Sequence, residues 1–112
     1  MLFNPNQPQS AQQPQYSNVG TVTEYALTTS TTMIVPDRST AKNRPNLMLF
    51  NKGTANALFA YGTSISPTLF TGELLPGGWF EDSSSSPWQG PVVMRSTTNA
   101  TTNVNVTELI IL

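Results

Sequence analysis

The sequence contains no cysteine and no histidine. The first absence excludes disulfides, thiol nucleophiles and cysteine-based zinc sites. The second removes the commonest general base. Charge is scarce as well. Charged side chains make up 10% of the 112 residues, five Lys or Arg against six Asp or Glu, for a formal net charge of −1. About a quarter is usual. Five scattered cations cannot form the stripe that a phosphate backbone requires, so neither nucleic acid nor a membrane surface is expected as a partner. No apolar run approaches the roughly 18 residues that span a bilayer. The N-terminus lacks the basic and apolar regions of a secretory signal, so the sequons Asn99-Ala100-Thr101 and Asn105-Val106-Thr107 are read as chance matches. Helical periodicity is missing too, and Gly and Pro recur too often to permit a long helix.

What is present begins with an N-terminal segment of unusual composition. Ten of the twelve residues from Asn4 to Gln15 are Asn, Gln or Pro, and no charge appears before Glu24. Such a segment has too little apolar surface to fold alone, so residues 1–17 are expected to form an extended arm. Ordering it costs roughly 1–2 kcal/mol per residue in backbone entropy. Prolines such as Pro5, Pro8 and Pro14 lower that cost. Burial of Leu2, Phe3 and Tyr16 contributes roughly 1.5–3 kcal/mol each, which does not suffice. The arm therefore needs backbone hydrogen bonds to a partner, most simply at a sheet edge. Fully extended, it reaches on the order of 50 Å. Leu2, Phe3, Pro5, Pro8, Pro14 and Tyr16 are its candidate partner-binding residues.

Residues 18–112 suffice for one small domain. Segments rich in β-branched and aromatic residues alternate there with turn signals at the spacing of an all-β sandwich. Strands are expected at Thr21–Thr28, Thr31–Val35, Asn46–Asn51, Ala57–Tyr61, Leu69–Leu75, Trp79–Glu81, Pro91–Ser96 and Val104–Ile111. Pro76-Gly77-Gly78 fits a turn in which proline presets φ and glycine takes the positive φ. Asn51 to Asn56 reads as a tight connection between antiparallel strands. The fold class is thus a small antiparallel β-sandwich, jelly-roll-like, of about eight short strands. Thr, Asn and Ser solvate its surface, leaving little charge repulsion between copies.

Several side chains admit more than one role. Glu81 and Asp82 are adjacent and point to opposite faces of a strand, so they make no catalytic pair. Trp79 follows a turn into a strand and is expected in the core. Trp88, between Pro87 and Gly90, either closes the rim of the sandwich or anchors a partner. The segment from Asp37 to Arg44 holds four charges, Asp37, Arg38, Lys42 and Arg44. They form either an exposed loop or ion pairs to a neighbour, and Arg44 either packs under the loop or joins an interface. The run Leu109-Ile110-Ile111-Leu112 is either an ordinary core strand or a subunit seam.

From Thr31 to Leu109 the order of features is specific. Ile34-Val35-Pro36 leads to Asn43-Arg44-Pro45-Asn46-Leu47, then a Tyr61-Gly62-Thr63-Ser64 corner. Leu74-Leu75-Pro76-Gly77-Gly78-Trp79-Phe80-Glu81 follows, then Trp88-Gln89-Gly90, Pro91-Val92-Val93, and a closing Val104-x-Val106-Thr107-Glu108-Leu109. This resembles the small β-sandwich structural proteins of tailed bacteriophages, found as capsid decoration (cement) proteins or as pieces of tails and fibres. The resemblance implies a virion component on the capsid exterior, made in the host cytoplasm, with no enzymatic activity and no cofactor. Its partners would be the major capsid protein and copies of itself, with a trimer expected by analogy. The alternatives are a tail or head–tail connector component and a glycan-binding fibre module. Arg44, Trp88, Ile110, Ile111 and Leu112 are the candidate interface residues of the body.

Overall fold

The structure is a computed structural model and describes residues 19–97 and 99–112. Eight strands are formed: β1 (Val19–Leu27), β2 (Thr32–Val35), β3 (Asn46–Asn51), β4 (Ala57–Tyr61), β5 (Gly72–Leu74), β6 (Trp79–Asp82), β7 (Val92–Ser96) and β8 (Thr102–Ile110). They build two antiparallel sheets, β1-β8-β3-β6 and β2-β7-β4-β5. Apart from the β4–β5 hairpin, each connection passes from one sheet to the other. That is the double Greek key of a jelly roll. No helix occurs among the described residues.

The expected strands at Asn46–Asn51 and Ala57–Tyr61 match β3 and β4 residue for residue. The strand expected at Leu69–Leu75 shrinks to three residues. The Ser66 hydroxyl accepts the Leu69 N–H at 2.9 Å, which closes a turn and delays strand entry to Gly72. The segment from Asn51 to Asn56 is not a hairpin. It carries the chain between sheets, because β3 pairs with β6 and β8 while β4 pairs with β5 and β7. The Pro76-Gly77 turn forms as expected: Gly78 N–H bonds Leu75 C=O at 2.7 Å with Gly77 at φ 80°. The single turn at Arg38–Lys42 closes on the Lys42 N–H to Arg38 C=O bond, and Lys42, at φ 53°, ends it.

Alternation places the core. Thr102, Val104, Val106 and Glu108 of β8 face inward with Leu47, Leu49 and Asn51 of β3. Ala57, Phe59, Leu74, Val92 and Met94 face them from the second sheet. A bulge between Met33 and Val35 lets both Ile34 and Val35 join this core. Leu27, Leu49, Val92, Met94 and Val104 are wholly buried, each large side chain contributing roughly 1.5–3 kcal/mol. Middle layers are apolar, whereas the inward positions at both ends of β3 and β8 include polar groups.

Candidate partner-binding surfaces

At one end of the sandwich Arg44 is buried. Pro45 holds it in extended backbone, and its N–H donates to the Gln89 side-chain carbonyl at 2.7 Å. The Gln89 amide donates back to the Arg44 C=O, so one side chain mimics a strand neighbour. The Arg44 guanidinium donates to Glu108 Oε2 at 2.8 Å, to the Gly90 and Trp88 carbonyls at 2.9 and 3.2 Å, and to the Pro36 carbonyl. Arg38 adds a two-pronged bond to Glu108 at 3.0 and 3.1 Å. Burial acts to raise the Glu108 pKa, but hydrogen bonds and charge from the two arginines outweigh it and hold the carboxyl below its ordinary value. Arg44 is therefore not an interface residue. It is 1% exposed and its donors are engaged within the chain. The loop charges Arg38 and Arg44 pair internally, while Lys42 stays exposed.

Beside this plug lies an aromatic rim. Trp88 stacks on Tyr61 with ring centroids 5.1 Å apart and planes within 4°. Its indole N–H donates to the Pro91 carbonyl at 2.9 Å. Gly90 permits the arrangement, since a Cβ there would lie 2.4 Å from the Trp88 ring. Asp82, inward on β6, accepts the Tyr61 hydroxyl at 2.7 Å and the Trp88 N–H at 3.0 Å. Burial first, then the bond to Asp82 and its charge, push the Tyr61 pKa up. Trp88 thus closes the rim while keeping 38% of its surface exposed. Glu81, on the opposite face, accepts from the Asn46 amide at 2.8 Å.

The C-terminal run is neither a core strand nor buried on both faces. Leu109, Ile110 and Ile111 are half-buried and Leu112 is 81% exposed. Ile111 donates its N–H to the Asn43 C=O at 2.8 Å and lines two adjoining open depressions. One, of about 440 Å³, runs over Pro45 and Pro87 to the hydroxyls of Ser84–Ser86. The other, of about 450 Å³, is bordered by Ala41, Asn43 and Leu112, with Lys42 between the two. Asn43 Oδ1 is buried without a hydrogen-bond partner among the described residues.

A second apolar surface lies on the outer face of the first sheet. Phe50 of β3 sits opposite Trp79 of β6, the two being 38% and 60% exposed. Leu75, in the adjoining turn, is 60% exposed. The expectation that Trp79 fills the core is overturned. In Trp79-Phe80 only one ring can face inward, and Phe80 takes that place against Phe59 at 4.6 Å. Large exposed aromatics of this kind are typical anchors of protein interfaces.

Of the expected site residues, Trp88, Ile110, Ile111 and Leu112 lie at the plugged end with Lys42 and the serine loop. The arm residues Leu2, Phe3, Pro5, Pro8, Pro14 and Tyr16 lie outside the described residues. Reading the sequence missed the Phe50–Trp79 pair and the roles of Asp82 and Glu108. Among the described residues, no group of three or more Asp or Glu side chains gathers to hold a metal. Compared with known protein families and with curated proteins, the chain matches none of them.

Proposed function

We propose that this chain is a structural virion protein, a decoration (cement) protein on the outside of a phage shell. Its jelly-roll body would seat on the shell, and its N-terminal arm would cross to a neighbouring subunit. Body and arm then act as linked weak contacts that reinforce each other through effective concentration. The observation that carries this reading is the strand order of the body, since eight-stranded jelly rolls recur in viral shells and in sugar-binding proteins. Fold alone does not choose between those two. The surface favours the shell. The Trp88 ring is already stacked on Tyr61, its N–H is already bonded, and the exposed Phe50, Leu75 and Trp79 offer an apolar face suited to a protein partner.

Quantitative mass spectrometry of purified particles, with the shell protein as reference, tests the proposal. A fixed stoichiometric ratio to the shell protein is the expected result. A few copies per particle would indicate a tail or connector component instead, and absence from the particle would overturn the reading. Deleting Met1–Tyr16 is expected to leave a folded body with much weaker particle binding. Binding as tight as that of the full chain would remove the arm from the mechanism. A glycan-array hit lost on Trp79→Ala would favour the sugar-binding alternative.

A further inference from the structure

Among the described residues four strands have one unpaired side: β1 and β6 in the first sheet, β2 and β5 in the second. Three of them have features that block further pairing. β5 has three residues and carries Glu73. β6 has four and carries Glu81 and Asp82. β2 has four and is bulged. Short, charged or bulged edges resist the addition of another strand. β1 is neither short nor bulged. It runs for nine residues in unbroken register with β8, from Val19 opposite Ile110 to Leu27 opposite Thr102. Val19 to Glu24 are all exposed, with Val22 at 64%. The strand's single charge, Glu24, is held by Lys52 of the same chain at 2.8 Å and by the Asn103 amide at 2.8 Å.

We infer that β1 pairs antiparallel with β1 of a second copy, joining two first sheets into one eight-stranded sheet. Identical strands related by a two-fold axis meet antiparallel without any rearrangement. Charge complementarity permits the contact, because each Glu24 arrives with its own Lys52. Cross-strand pairs drawn from Val19, Thr21, Val22 and Thr23 are of the kind that stabilises sheets. A second copy offers this edge nine strand residues with every N–H present, whereas Pro5, Pro8 and Pro14 each withhold one, so the arm would make the sparser ladder. The contact is isologous and gives an even assembly; the threefold expected by analogy would need a second, different contact. Nine residues make a seam of about 30 Å. Such a seam falls below the roughly 1,200 Å² of a standard interface, so pairing is weak in dilute solution and strengthens where copies are crowded. The inference deepens the proposed function by naming the self-contact, yet it concerns the purified chain and stands or falls apart from any particle.

The chain's lack of cysteine makes the test clean. Thr21→Cys, Val22→Cys and Thr23→Cys are placed singly on exposed positions of β1 in the full chain, with Glu81→Cys on β6 as the control. Air oxidation at raised concentration is expected to yield a disulfide-linked dimer from at least one β1 variant and none from the control. Sedimentation of Thr21→Lys/Thr23→Lys is expected to show dimerisation roughly tenfold weaker or more, with an unchanged Tm. Failure of all three β1 cysteines to cross-link would overturn the inference, as would equal cross-linking of the Glu81→Cys control. A dimer that persists in the lysine variant would also overturn it.

Discussion

The two ends of the sandwich pose the same problem and solve it differently. At each end the inward row of β3 and β8 meets polar groups. At the end where β8 finishes, Glu108 is met by Arg44 and Arg38, and Arg44 places further donors on backbone carbonyls. At the end where β8 begins, Asn51 does the work without charge. Its amide donates to the Ala55 and Leu74 carbonyls at 2.8 and 2.9 Å, and its carbonyl accepts from Thr102 Oγ1 at 2.8 Å and Gly53 N–H at 3.1 Å. All four of its hydrogen-bonding positions are filled. Gly53 is required for this approach, as a Cβ there would lie 2.0 Å from the Thr102 hydroxyl. The charged solution ties distant loops together but is intolerant of losing one member. The neutral one distributes the same task over a single side chain and four modest bonds.

Replacing one member of the charged end should have the largest effect. Arg44→Met leaves Glu108 buried beside Arg38 alone, and chemical denaturation should show a loss of about 3–5 kcal/mol. Arg44→Met combined with Glu108→Leu should recover most of that loss. If the double variant is as unstable as the single, the end depends on the carbonyl contacts of Arg44 more than on the ion pair. Asn51→Ala should cost less, about 1–3 kcal/mol, since neutral groups are left unsatisfied in place of a charge. A cost equal to that of Arg44→Met would erase the distinction between the ends.

Acid sharpens the same contrast with a smaller effect. The Glu108 carboxyl is depressed in the folded chain, so its contribution to stability is present above the ordinary carboxylate value of 4.5. It is lost as pH falls through the lower folded value. Exposed Glu24 and Asp37 are depressed in the same direction, by hydrogen bonds from Lys52 and Ser39 respectively. Urea midpoints followed across this range should therefore fall with acid in the native chain and in Asn51→Ala. The fall should be visibly shallower in Glu108→Gln, and an equal slope in all three would show that Glu108 contributes nothing to acid sensitivity.

The sandwich was legible in the sequence because turns and alternation are local signals. Asn46–Asn51 and Ala57–Tyr61 were bounded by Pro45, Gly62 and the polar run between them. The charged end was only half legible. Arg44 and Glu108 are 64 residues apart, and no local pattern couples them. The available signal was phase: Glu108 falls on the inward beat of Val104-x-Val106-x-Glu108, where a lone carboxylate demands a cation. Trp79 was misplaced for a related reason. Alternation says that neighbours face opposite ways, but the choice between Trp79 and Phe80 is made by Phe59 across the core, far away in sequence.

Strand β1 starts and strand β8 finishes side by side, with Val19 opposite Ile110. The body consequently has a direction, like a plug with both leads on one side. A fluorescent protein or peptide fused after Leu112 would hang from the charged end, since β8 finishes there. The loops at residues 52–56 and 75–78 face the other way, around the neutral end that Asn51 holds. Attached to a surface through that charged end, every copy would present the same cap of Leu75, Trp79 and their neighbours outward.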